Sequence, residues 1–206
     1  ILITSPVVTP QAIERLIKLN GKISGLRVVA DNPGNVDALA SAAQAAGKTL
    51  DVVVDIDPGI RRTGVPSPEA ALALTQRIAA APSLRFAGVQ YYCGVQQHIE
   101  SYADRRAAIA ERTDYLKSII DLLSGAGLAP EVVTGGGTGT HHIDGELGVL
   151  TELQAGSYVF MDKQYNDCDL DGQGRKPFET SLFVDAHVIS ANSASMATID
   201  AGFKAL

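Results

Sequence analysis

Four short stretches hold most of the residues that could do chemistry. DIDPGIRRTGV sets the carboxylates Asp55 and Asp57 a few residues from the guanidiniums Arg61 and Arg62. YYCGVQQH carries Tyr92, Cys93, Gln97 and His98. VTGGGTGTHH lines up Thr134, Gly135, Gly136, Gly137, Thr138 and Gly139. GSYVFMDKQY adds Gly156, Ser157, Tyr158, Asp162 and Tyr165. Three adjacent glycines lose much entropy when ordered. A bare backbone can offset that by aiming several N–H groups at one anion, such as a phosphate. No Lys-Ser/Thr pair follows, so the run is not a nucleotide P-loop. A flexible turn is the alternative.

The other candidates also have two readings each. Arg62 could hold a ligand or pair with Asp57 at the rim of the fold. Tyr92 could face a ligand or fill core, its hydroxyl satisfied by a backbone carbonyl. His98, taken alone, reads as a surface-loop residue. His141, His142 and Asp144 are close in sequence, but adjacent residues seldom ligate one metal, so no metal ligand is assigned. Cys93 and Cys168 read as free thiols.

Strands and helices alternate around these stretches. Apolar runs at 1–5, 26–31, 51–57, 86–93, 131–134 and 156–162 predict six strands. Thr9-Pro10, Asn32-Pro33 and Ser67-Pro68 each predict a helix with a side-chain cap and proline in the first turn. A longer helix is predicted over about 101–125, with Ile109, Leu116, Ile120 and Leu123 on one face. This alternation means parallel strands joined by right-handed crossovers: an open doubly wound sheet or a (β/α)8 barrel. In either fold the ligand lies at the C-terminal strand ends, where the four stretches fall. From about residue 178, ETSLFVDAHVISA and MATIDAG predict long strands with no helix between them, a switch to an all-β region.

Bulk properties narrow the class. The chain has 206 residues, 46% hydrophobic and 19% charged, the profile of a globular domain. Its net charge of −6 argues against a nucleic-acid partner. No apolar run reaches the roughly 20 residues of a membrane span. Two cysteines provide no disulfide framework, which fits a reducing, cytoplasmic setting. The chain opens on an apolar run without Met, and the expectation is a segment of a larger fold lacking both ends.

The segments VDIDPGIRRTGV, FAGVQYYCGVQQH, VTGGGTGT and GVLTELQAGSYVFMD resemble D-threonine aldolases, within the fold-type III pyridoxal phosphate enzymes that share the alanine racemase N-terminal barrel. The resemblance extends to IDAGFKAL at the end. It implies a (β/α)8 TIM-type barrel, incomplete in this chain, over residues 1–177, and the beginning of a β-domain over 178–206. It implies pyridoxal 5′-phosphate as cofactor. The phosphate would be held by Thr134, Gly135, Gly136, Gly137, Thr138, Gly139, Gly156, Ser157 and Tyr158. Tyr92 would stand near the pyridine nitrogen. Arg62 would lie beside the ring, and His98 is the second catalytic candidate. Cys93, Gln97, Asp162 and Tyr165 would face the substrate; Cys93 stands where close relatives often have His.

The Schiff-base lysine would lie upstream of Ile1, and the ligands of a divalent metal (Mn, Mg or Zn) outside this segment. The activity implied is cleavage of a small D-3-hydroxy amino acid to glycine and an aldehyde, by a homodimer with no nucleic-acid or membrane partner. Alternatives are a D-serine or 3-hydroxyaspartate dehydratase on the same scaffold, a non-catalytic pyridoxal phosphate-binding barrel, and a phosphate-binding barrel with isomerase chemistry.

Overall fold

The computed structural model describes residues 1–202; the end of the family resemblance, residues 203–206 with Lys204, lies outside them. Six strands form one sheet: β1 (Leu2–Ile3), β2 (Arg27–Ala30), β3 (Leu50–Asp55), β4 (Leu84–Tyr91), β5 (Val132–Gly135) and β6 (Glu152–Leu153). They are neighbours in chain order, and every pair is parallel. An open doubly wound sheet reverses direction at a switch point. This one never does, and it curls. The Gln90 side chain on β4 donates to the Thr4 carbonyl beyond β1 at 3.2 Å, and Arg27 on β2 lies 3.6 Å from Glu152 on β6. The architecture is an incomplete TIM-type barrel.

The helices start where their caps predict. α1 (Pro10–Asn20), α2 (Pro33–Ala45) and α3 (Pro68–Ala80) each place proline at the first position, and Thr9, Asn32 and Ser67 each accept a first-turn N–H. Ser101 caps α4 (Tyr102–Gly125) in the same way. The helices bury Ile13, Leu16, Val36, Leu39, Ile78, Leu116 and Ile119 against Val28, Val52, Val54 and Val89 on the outer face of the sheet. None of the helices among the described residues is long and apolar enough to cross a membrane.

The inner face is layered, as in barrels whose inward side chains stack. Ion pairs of Arg85 with Asp51 and Glu131 lie toward the N-terminal strand ends. Val29, Val53 and Ala87 make a fully buried apolar layer. A polar layer of Asp55, Gln90, Thr134 and Gln154 lies toward the mouth. A β-bulge in β4 makes this order possible. Val52 pairs with Phe86 but Val53 pairs with Gly88, so Ala87 is the extra residue. Ala87 faces inward, Val89 and Tyr91 pack outward, and Gln90 reaches the interior. The bulge thus reverses which residues of β4 face the barrel lumen.

Three expectations are corrected. The sixth strand is β6 at Glu152–Leu153, not 156–162. There the backbone closes on itself: Phe160 and Met161 both donate to the Ser157 carbonyl in a 3-10 turn over Ser157–Val159, and the short α6 (Lys163–Asn166) follows. A helix that periodicity did not signal, α5 (His141–Leu147), lies between β5 and β6, ended by Gly148 in the left-handed conformation. Past residue 178 the strands are shorter than expected: β7 (Val188–Ser193) and β8 (Met196–Ile199) pair as an antiparallel hairpin, exposed along its length.

Candidate active site

At the C-terminal strand ends lies an open cavity of about 420 Å³, lined by Thr4, Ser5, Arg62, Thr63, Gln90, Tyr92 and Gln154. That size is within the range of cofactor pockets. Its floor is one hydrogen-bonded chain across the barrel. Gln90 Nε2 donates to Asp55 Oδ1 at 2.9 Å. Gln154 Nε2 donates to Gln90 Oε1 at 3.0 Å and to Thr134 Oγ1 at 3.1 Å. Thr134 Oγ1 donates to Glu152 Oε1 at 3.0 Å. Burial raises the Asp55 carboxyl above its ordinary value, opposed by the hydrogen bonds it receives from Thr63 and Gln90.

One wall is cationic and aromatic. The Arg62 guanidinium lies over the Tyr92 ring, 5.4 Å from its centroid. Asp57, the alternative partner for Arg62, is occupied elsewhere: its carboxylate accepts the backbone N–H groups of Gly59 and Arg61 and shapes the turn after β3. At the rim the exposed His98 ring lies 4.5 Å from the buried Tyr165 ring. Burial raises the Tyr165 hydroxyl, with Tyr92 adding to the rise and Ser157 opposing it. Asp162 caps α6, accepting the Tyr165 N–H at 2.9 Å, and so orients Tyr165.

The glycine loop borders the same mouth. Residues 135–140 are buried. Thr138 Oγ1 accepts the Tyr158 N–H at 3.0 Å, which joins the loop to the exposed Gly156-Ser157-Tyr158 turn, and the Thr138 carbonyl lies 2.8 Å from His141 Nδ1. Two residues expected to face substrate lie behind the loop instead. Gln97 is fully buried, with both ends of its carboxamide bonded to the protein. Cys93 is buried beside Tyr91 and Asp144, and burial pushes its thiol up to about 12, with Asp144 adding to the effect.

Of the expected residues, Arg62 and Tyr92 line the cavity and Thr134 joins its floor; His98 with Tyr165, and Thr138 with Tyr158, lie on the loops that follow the strands, while Cys93 and Gln97 lie on the reverse side of the glycine loop. A phosphorylated aromatic cofactor fits this donor set: a polar cavity, a guanidinium beside an aromatic wall, and loop N–H groups at Gly136 and Thr138 with no partner among the described residues. Asp55 and Gln90 stand at strand ends on the rim that the alternation predicts, but sequence reasoning gave them no role in the floor, and it missed Gln154 altogether. Starting the sixth strand four residues too late hid Gln154, which directly follows β6.

A family model described as alanine racemase, N-terminal domain, matches residues 1–164. The chain is 38% identical, over its whole length, to 54% of a 3-hydroxy-D-aspartate aldolase of Paracoccus denitrificans (strain Pd 1222). It is 38% identical, over 98% of its length, to 52% of a D-threonine aldolase of Arthrobacter sp. The solved structure of D-threonine aldolase from Filomicrobium marinum superposes with a TM-score of 0.87 at 39% identity, covering 98% of this chain and 54% of that one. The chain thus spans about half the length of the relatives it matches.

Proposed function

The chain belongs to the alanine racemase N-terminal domain family, and from that premise we propose that the protein is a pyridoxal 5′-phosphate-dependent lyase that cleaves a D-3-hydroxy amino acid of the D-threonine type to glycine and an aldehyde. The observation that carries this is the polar cavity walled by Arg62 over Tyr92, in a chain 38% identical to a D-threonine aldolase over 98% of its length. When bound, the cofactor supplies a sink for the electron pair left at Cα as the Cα–Cβ bond breaks.

This chain's residues then have separate tasks. The Thr134–Gly139 loop and the Gly156-Ser157-Tyr158 turn would hold the phosphate. Tyr92 would be the residue nearest the cofactor's ring nitrogen, and Arg62, held over the Tyr92 ring, would supply a charged donor to the cofactor's phenolic oxygen. His98, against Tyr165 at the rim, is our candidate to take the β-hydroxyl proton, on an imidazole nitrogen. Asp162 acts through Tyr165. Cys93 and Gln97 are given no substrate contact. A divalent metal (Mn, Mg or Zn) would have its ligands outside this segment. No group of three or more His, Cys, Asp or Glu that could hold one occurs among the described residues, and no step is assigned to it. The same proposal takes 1–177 as barrel, 178–206 as the start of a β-domain, and the whole protein as a cytoplasmic homodimer.

The test is product analysis. The complete protein, loaded with cofactor and given D-threonine, should release acetaldehyde and glycine. Ammonia with a 2-oxo acid would make it a dehydratase. Failure of the complete protein to bind pyridoxal 5′-phosphate would end the proposal.

A further inference from the structure

Behind the glycine loop one carboxamide and one hydroxyl organise the backbone. Gln97 lies in the 3-10 turn at Val95–His98, directly before His98, and is fully buried. Its Oε1 accepts the Gly139 N–H at 2.9 Å. Its Nε2 donates to Thr140 Oγ1 at 3.0 Å and to the Cys93 carbonyl at 3.3 Å. Thr140 Oγ1 also accepts the Gly137 N–H at 3.2 Å and donates to Asp144 Oδ2 at 2.6 Å. A hydroxyl has one proton to give and two lone pairs to receive with. With its proton on Asp144, Thr140 must accept from both Gln97 and Gly137, and this turns the Gln97 oxygen toward Gly139.

Shape enforces the same arrangement. A Cβ at Gly137 would collide with the Gln97 carboxamide, and one at Gly139 with the Gln97 backbone carbonyl. The glycines are bare because Gln97 stands against them. Two of the loop's N–H groups, at 137 and 139, are thereby bonded to the protein, while those at Gly136 and Thr138 have no partner among the described residues.

We propose that Gln97 is the positioning residue of this loop: through Gly139 and Thr140 it fixes which backbone N–H groups remain for the cofactor's phosphate, and so sets the protein's preference for pyridoxal 5′-phosphate over unphosphorylated pyridoxal. The proposal rests on the cofactor assignment above. Because Gln97 adjoins His98, the same side chain ties the phosphate loop to the substrate rim.

The test uses the complete protein stripped of cofactor and titrated separately with pyridoxal 5′-phosphate and pyridoxal, following the visible absorbance of the bound form. Gln97→Met removes all three carboxamide bonds at similar volume. Thr140→Val removes the hydroxyl and leaves Gln97 in place, and Thr140→Ser keeps the hydroxyl. Gln97→Met and Thr140→Val should each lose about tenfold or more in affinity for the phosphorylated form, and change by no more than about twofold for pyridoxal. Thr140→Ser should retain the wild-type ratio. Variants that keep the wild-type preference, or that lose both ligands in equal proportion, would overturn the proposal. A wild type that binds both ligands equally would also overturn it, while one that binds neither overturns the cofactor assignment itself. Should Gln97→Met not fold, the two Thr140 variants decide by the same ratio.

Discussion

Arg62 illustrates how little of a site residue's role is contained in its own charge. The side chain is exposed, and its carboxylate neighbour in sequence, Asp57, is committed to the turn. What places the guanidinium is the face of Tyr92, a contact of about 0.5–2 kcal/mol for a cation over an aromatic ring. Arg62→Ala should therefore barely move the melting temperature of the complete protein while lowering kcat by about 10²-fold, the usual loss when one charge-stabilising donor goes. Arg62→Lys should recover little, because an ammonium lacks the planar fork. Steady-state kinetics beside a thermal melt check both; an unchanged kcat would remove Arg62 from the catalytic set. Asp144 gives a prediction of opposite kind, in stability rather than rate. Burial raises its carboxyl, and the Thr140 hydrogen bond only partly opposes that. An acid whose folded value is raised holds its proton longer when folded. Its contribution is then complete below the ordinary carboxylate value and is lost as pH rises through the elevated one. Asp144→Asn keeps the shape without the ionisation, so its melting temperature should gain on the wild type as pH rises above the ordinary carboxylate value of about 4. Asp55 is shifted in the same direction and leaves some slope in the variant. A gap that narrowed with rising pH would contradict the sign.

At the level of elements, strand β4 decides which side chains the cavity receives. Uninterrupted alternation from Ala87 would carry Val89 and Tyr91 into the lumen; the bulge substitutes Gln90 and aims the chain so that Tyr92 lines the mouth. Gly88 makes the bulge tolerable. Its φ is 154°, and a Cβ there would collide with the Val132 carbonyl on β5. Gly88→Ala should destabilise the complete protein by about 2 kcal/mol or more. The variant should also lose cofactor binding out of proportion to that loss, because Gln90 is re-aimed. Denaturant unfolding and cofactor titration separate the two effects, and a variant with native stability would show that the bulge survives without glycine. The bulge was not legible in the sequence, since one glycine within an apolar run does not announce a reversal of facing. Helix starts were legible, because Thr9, Asn32 and Ser67 act locally on the turn that follows them. The glycine loop was legible as a special backbone. Its reason was not, because Gln97 approaches it from 42 residues away in sequence, as the Gly139 bond records. The sixth strand was misplaced for a related cause: only Glu152 and Leu153 pair with β5, while the more apolar Tyr158-Val159-Phe160 turns back on itself.

Over the whole molecule, the barrel and the surface pull in different directions. The apolar layer of Val29, Val53 and Ala87 is fully buried even with six strands, so the curled sheet has a real interior. Its two edge strands, β1 and β6, are only two residues long each, which limits the edge offered to another sheet. The apolar load lies elsewhere: Val159 and Phe160 are more than half exposed, Phe183 is 76% exposed, and the β7–β8 hairpin shows Val188, Ile189 and Met196 to solvent. A two-stranded hairpin with no face covered is marginal in water, and contiguous exposed apolar surface favours association. A net charge of −6 opposes this, but charge repulsion between exposed groups is screened within about 8 Å at physiological ionic strength. The apolar term should win, and residues 1–206 expressed alone should self-associate, more strongly as salt is added. Light scattering across a concentration and salt series checks it; a monodisperse monomer with a single cooperative melt would refute it. Hydrogen exchange on the same sample locates the cause: β3 and β4 amides should be protected and β7 and β8 amides should exchange fast, because the first pair lies inside the barrel wall and the second is covered on neither face.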